Sequence, residues 1–149
     1  MLIWIFGFGL IAALAALSVI DYRTLILPDI LTLPLIAGGL LFAYWQQALL
    51  AGSIGAVIGY AGLVGIELFY KKVRGVDGLG RGDAKLLAAG GAWCGWYGLA
   101  FILLIASASG LVHALLLSRR GEQTNSKLPF GPHLALGIFV SWLALFVLT

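Results

Sequence analysis

The sequence predicts an all-α, polytopic integral membrane protein with six transmembrane helices. Three observations carry that expectation. Hydrophobic residues make up 62% of the 149 and charged residues only 10%, with mean hydropathy +1.07, whereas a soluble domain is about half apolar and a quarter charged. A small domain leaves much of its surface in solvent, so this chain cannot hide its apolar surface inside itself. Finally, its charges fall in short clusters separated by apolar stretches long enough to cross a bilayer.

The segments follow from those clusters. Segment one is Leu2 to Ile20. Segment two runs from Ile30 to Ala48 and segment three from Leu50 to Tyr70. The stretch from Lys85 to Leu117 is too long for one crossing and short for two. A split near Cys94 to Trp96 makes it a short fourth helix and a full fifth. Segment six is Phe130 to Leu148. No basic residue precedes the first apolar run, so that run is not read as a cleaved signal peptide.

The cations orient these segments. All nine Lys and Arg fall in or beside odd-numbered loops: Arg23 in the first, Lys71 to Lys85 around the third, Arg119 to Lys127 in the fifth. The even loops have none. Cytoplasmic loops carry the excess of Lys and Arg. The odd loops are therefore expected in the cytoplasm and both termini outside it. The pI near 9.2 then reflects membrane topology and not nucleic-acid binding. Membrane lipid is an expected partner of the basic loops. The whole of 1–149 reads as one membrane-embedded domain, with no loop long enough to fold alone. With Cys94 as the only cysteine, no intrachain disulfide can form.

Glycine occurs 21 times. Gly52, Gly55, Gly59 and Gly62 recur at helical spacing in segment three, as expected of a close helix contact. Trp93, Trp96 and Tyr97 fall near the outer boundary and read as interfacial anchors. His113 reads as a helix-packing hydrogen bond within segment five. His133, near the cytoplasmic end of segment six, lies within possible reach of the acids, and the pair gives no metal-cluster pattern.

The chemistry rests on acids. There are six Asp and Glu, and the topology puts all of them in or near cytoplasmic loops. Asp21 ends segment one and Asp83 begins helix four. Either alone reads plainly, as a charge ending a helix or as an N-cap, and Asp29, after Pro28, reads as an N-cap. The conjunction carries more. If Asp21 and Asp83 converge, like-charge repulsion keeps them from ionising together, so one holds a proton while the other is a base. Such a pair activates water against a peptide bond without a metal. The helix-four N-terminus favours negative charge at Asp83, which makes it the expected ionised partner.

The residues around these acids resemble signatures of the type IV prepilin peptidases. Leu27-Pro28-Asp29-Ile30-Leu31-Thr32-Leu33-Pro34, following Asp21, is similar to the family's first signature. Gly80-Arg81-Gly82-Asp83-Ala84-Lys85 is similar to its Gly-x-Gly-Asp element, and Phe130-Gly131-Pro132 to its ending. The resemblance implies an aspartic endopeptidase of the cytoplasmic (inner) membrane that removes the leader of prepilin or pseudopilin precursors, typically after a Gly, at the cytoplasmic face. It implies Asp21 and Asp83 as the catalytic pair. Pro28, Asp29, Gly80, Gly82 and Lys85 match supporting motif positions. No metal or cofactor is implied. Longer members carry an extra N-terminal part, often with paired Cys-x-x-Cys motifs, and N-methylate their product. This sequence looks like the peptidase core alone, so methylation is not expected.

Two rival classes fit the same composition. A small transporter or channel would use intramembrane acids for flux and bury them deeper in the bundle. A non-catalytic assembly subunit would use the glycine faces for docking and tolerate Asn at both Asp positions. The sequence identifies neither the precursor nor the oligomeric state.

Overall fold

The structure is a computed structural model that describes residues 1–24, 27–75, 81–121 and 130–148. Those residues form six α-helices: α1 Leu2–Thr24, α2 Asp29–Trp45, α3 Leu49–Arg74, α4 Arg81–Cys94, α5 Gly98–Arg119 and α6 Gly131–Phe146. The split of the long apolar stretch falls where the sequence places it. Gly95 turns the chain there with φ +77°, a conformation glycine adopts without steric cost.

Length sorts the helices. Leu2–Thr24, Leu49–Val73 and Gly98–Arg119 are long and apolar enough to cross a membrane. The helices α2 and α6 have 17 and 16 residues and are also apolar, but shorter. With 14 residues, α4 rises only about 21 Å, less than the hydrocarbon thickness of about 30 Å.

Composition explains where α4 sits. From Leu86 to Cys94 every residue is buried. A helix buried on all sides lies inside a protein, and α4 packs against α2, α3, α5 and α6. The small residues of Leu86-Leu87-Ala88-Ala89-Gly90-Gly91-Ala92 let four neighbours approach. The tightest approach is to α3, where the backbones of Gly55 and Gly91 meet directly. A Cβ on Gly59 would lie 2.9 Å from the Leu87 carbonyl oxygen, and one on Gly52 3.0 Å from that of Ala92. The glycine stripe is therefore a packing surface, with one exception: Gly62 has nothing within 4 Å of its Cβ position.

One sequence-based expectation is corrected here. Trp93 is no interfacial anchor. It is 4% exposed, its Nε1–H donates to the Leu35 carbonyl at 2.9 Å, and its ring stacks on Phe42 at 5.3 Å. The turn of α4 points it inward, among Phe6, Phe42 and Gly39. Trp96 and Tyr97, beyond the helix, are exposed as expected.

Helix direction then collects the acids. Because α3 runs antiparallel to α4, and because side-chain contacts tie α1 to α6, α2 to α4 and α5 to α6, the N-termini of α2, α4 and α6 share one end of the bundle with the C-termini of α1, α3 and α5.

Candidate active site

Asp21 comes to that end on the last turn of α1. The sequence reading ended the helix at Ile20, but it continues to Thr24, whose Oγ1 donates to the Ile20 carbonyl at 2.7 Å. Asp21 therefore lies inside the helix, on the buried stripe of Leu10, Leu14 and Leu17. It is 5% exposed and the only acid among the buried described residues. A buried carboxylate requires donors. The Gly131 N–H, at the start of α6, donates to Asp21 Oδ2 at 2.8 Å. Glycine is required by proximity: a Cβ at 131 would stand 2.5 Å from Oδ2.

Asp83 arrives on the first turn of α4. The helix begins at Arg81, so Asp83 is its third residue and not the N-cap the sequence reading made it. Its side chain is partly buried. Asp83 lies near enough to Asp21 to feel its charge. Gly82 fixes the approach of this turn, since a Cβ there would meet the Leu27 Cβ at 2.8 Å. Leu27 itself is 6% exposed.

Asp29 is likewise not a cap. Pro28 holds the N-cap position with extended backbone, and Asp29 is the first residue of α2. Its Oδ1 pairs with Lys85 Nζ. Both are partly open to solvent, 56% and 26% exposed respectively. The pair ties the start of α2 to the start of α4, two residues beyond Asp83.

Six of the seven anticipated site residues have a described environment, and all six gather at one end: Asp21, Asp83, Pro28, Asp29, Gly82 and Lys85. Gly80 lies outside the described residues, as do Asp77, Glu122, Lys127 and the side chain of Arg81. Sequence reasoning missed the donor role of Gly131. Its signal was present, a Gly before Pro opening an apolar helix, but sequence spacing cannot say which carboxylate it serves.

Three helix N-termini meet at this site, each next to one acid: α2 with Asp29, α4 with Asp83, α6 with Asp21. Helix N-termini stabilise negative charge. The helix-terminus argument therefore no longer singles out Asp83, because Asp21 enjoys a donor of the same kind. Beside Asp21, a groove of about 440 Å³ opens between α1 and α6, lined by Ser18, Val19, Tyr22, Arg23 and Pro132. Among the described residues no group of three His, Cys, Asp or Glu could hold a metal ion.

Asp21, Asp29, Asp83 and Lys85 fall within a sequence match. The family model of the type IV leader peptidase family matches residues 8–115. The chain belongs to that family. Its relatives include a prepilin leader peptidase/N-methyltransferase of Burkholderia pseudomallei (strain K96243), 48% identical over 134 residues, covering 88% of this chain and 43% of the relative. A protein of the same name from Escherichia coli (strain K12) is 47% identical over 127 residues, 84% of this chain and 56% of the relative. That of Aeromonas hydrophila is 41% identical over 148 residues, 93% and 50%. The chain spans about half the length of the curated relatives it matches. No solved structure gives a significant match.

Proposed function

We propose that this chain is an aspartic endopeptidase that removes the leader peptide from prepilin or pseudopilin precursors, with Asp21 and Asp83 as the catalytic pair. The observation that supports the reading is that Asp83 lies within range of the charge of Asp21, from a helix far apart in sequence, inside a member of the leader peptidase family. The relatives' names also include methyltransferase activity; the proposal for this chain is confined to cleavage. Family membership also weighs for the peptidase over a transporter or an assembly subunit.

The chemistry follows from one shared proton. Like charges this close do not both ionise readily, so one carboxyl holds a proton and its partner is a carboxylate. The carboxylate removes a proton from water as the water oxygen bonds to the scissile carbonyl carbon. The protonated carboxyl then gives its proton to the amide nitrogen as the C–N bond breaks. A new carboxylate and a free amine leave, and the pair again shares one proton. The Gly131 N–H holds Asp21 Oδ2 in place. The roles of acid and base belong to the coupled pair.

The setting belongs to the same reading. All six helices lie in the cytoplasmic (inner) membrane as a single 1–149 domain, with both termini outside and the site at the cytoplasmic face. The supporting observation is the charge pattern: Arg23, Arg74 and Arg119 end α1, α3 and α5 at the end that holds the aspartates.

Co-expression with tagged prepilins tests this reading. Leader removal is scored by gel shift, and the cut is located by N-terminal sequencing. Cleavage directly after a Gly is the expected result. A folded, inserted protein that cleaves none of a panel containing its genomically neighbouring precursors would overturn the proposal.

A further inference from the structure

Helices α5 and α6 bring together two histidines that the peptidase reading does not use. His113 Nδ1 lies 3.2 Å from His133 Nε2. His133 Nδ1 lies 3.0 Å from Ser109 Oγ, and Ser109 Oγ donates to the Ala106 carbonyl at 3.1 Å. One set of tautomers satisfies all three contacts: the Ser109 proton goes to Ala106 and His133 Nδ1–H donates to Ser109. His133 Nε2 then carries a lone pair, and His113 Nδ1–H donates to it.

We propose that His113 and His133 form a two-imidazole site for a divalent first-row transition-metal cation of the zinc class. Three features support it. A tetrahedral metal with Zn–N bonds of about 2.0–2.1 Å spans two nitrogens about 3.3–3.4 Å apart, and these stand at 3.2 Å, so the backbones need not move. A metal-bound imidazole usually donates its other N–H to an oxygen that holds its orientation, and Ser109 supplies that oxygen to His133. Both rings are only partly buried, and His133 stands on the first turn of α6, at the end of the bundle that the proposed topology turns toward the cytoplasm. Imidazole nitrogen suits Zn, Cu and Ni and not Mg or Ca.

Binding needs one proton rearrangement and no oxidant. The Nδ1 proton of His113 is lost to solvent and one is taken up at its Nε2, so the ring stays neutral. The two lone pairs then turn from each other toward the metal, by about 35° each for a tetrahedral angle. Among the described residues no third His, Cys, Asp or Glu joins the pair, so water completes the coordination. The bound ion ties α5 to α6 close to Gly131, and stands apart from the metal-free aspartate chemistry.

The test uses full-length protein in detergent micelles, without an oligohistidine tag and stripped with chelator. Zn²⁺ is titrated by calorimetry, with Mg²⁺ as control. Co²⁺ serves as an optical probe of nitrogen coordination in the wild type, which needs no variant. The expected result is one equivalent of Zn²⁺, no Mg²⁺, and a Co²⁺ ligand-field spectrum. His113→Gln or His133→Gln abolishes binding, and Ser109→Ala weakens it about 10-fold. Wild-type protein that takes up no Zn²⁺ and shows no Co²⁺ spectrum overturns the proposal, as does full binding in the double His→Gln variant.

Discussion

Gly131 donates its backbone N–H to Asp21 Oδ2 at 2.8 Å, across the contact between the first and last helices. The contact has no room for a side chain at 131, since a Cβ would stand 2.5 Å from that oxygen. Gly131→Ala therefore displaces Asp21 or the start of α6. Misplacing a reacting group by about 1 Å costs on the order of 100-fold in rate. The expected outcome is a loss of that size in precursor cleavage, with insertion and helix content retained. Steady-state cleavage by purified variant, compared with its circular dichroism, checks it.

The glycines of α3 make opposite predictions within one helix. At Gly55 the backbone of α4 is in direct contact, whereas Gly62 has nothing within 4 Å. Gly55→Val must force the central helix away, and overpacking of this kind costs about 1–3 kcal/mol or more. Gly62→Val costs little, because its methyls find open space. Thermal unfolding of the two variants in the same detergent should separate them clearly, with Gly55→Val the less stable.

Two neighbouring tryptophans divide in the same way. Trp93 fills the core and donates to the Leu35 carbonyl, while Trp96 is 54% exposed. Trp93→Ala is expected to destabilise the protein by about 3–5 kcal/mol. Trp93→Phe keeps most of the volume and loses mainly the hydrogen bond, about 1 kcal/mol. Trp96→Ala should fall well below either. Melting curves for the three variants give the comparison.

Much of this was legible in the residues, for physical reasons that can be named. Charge-free runs gave six helices because a bilayer demands about 20 apolar residues, and the missing charge between Cys94 and Trp96 marked the turn. The nearness of Asp21 to Asp83 was legible only as a conjunction, since how close the ends of α1 and α4 come depends on helix packing and not on local pattern. Helix starts were misread by one residue at Asp29 and three at Asp83, because both acids suit an N-cap and a first turn almost equally well. Trp93 was misread because hydropathy shows depth along the bilayer normal and not which face turns inward. The histidine pair was invisible because His113 and His133 belong to different helices.

The central claim is that Asp21 and Asp83 act as one catalytic unit. The most direct measurement is the initial rate of precursor cleavage by purified wild type, Asp21→Asn, Asp83→Asn and the double variant, each shown to be folded and inserted. Members of a catalytic unit are strongly non-additive. The account predicts that each single variant loses at least about 1,000-fold and that the double variant is no worse than either. A folded single variant that cleaves within a few-fold of wild type would contradict it and remove that aspartate from the mechanism.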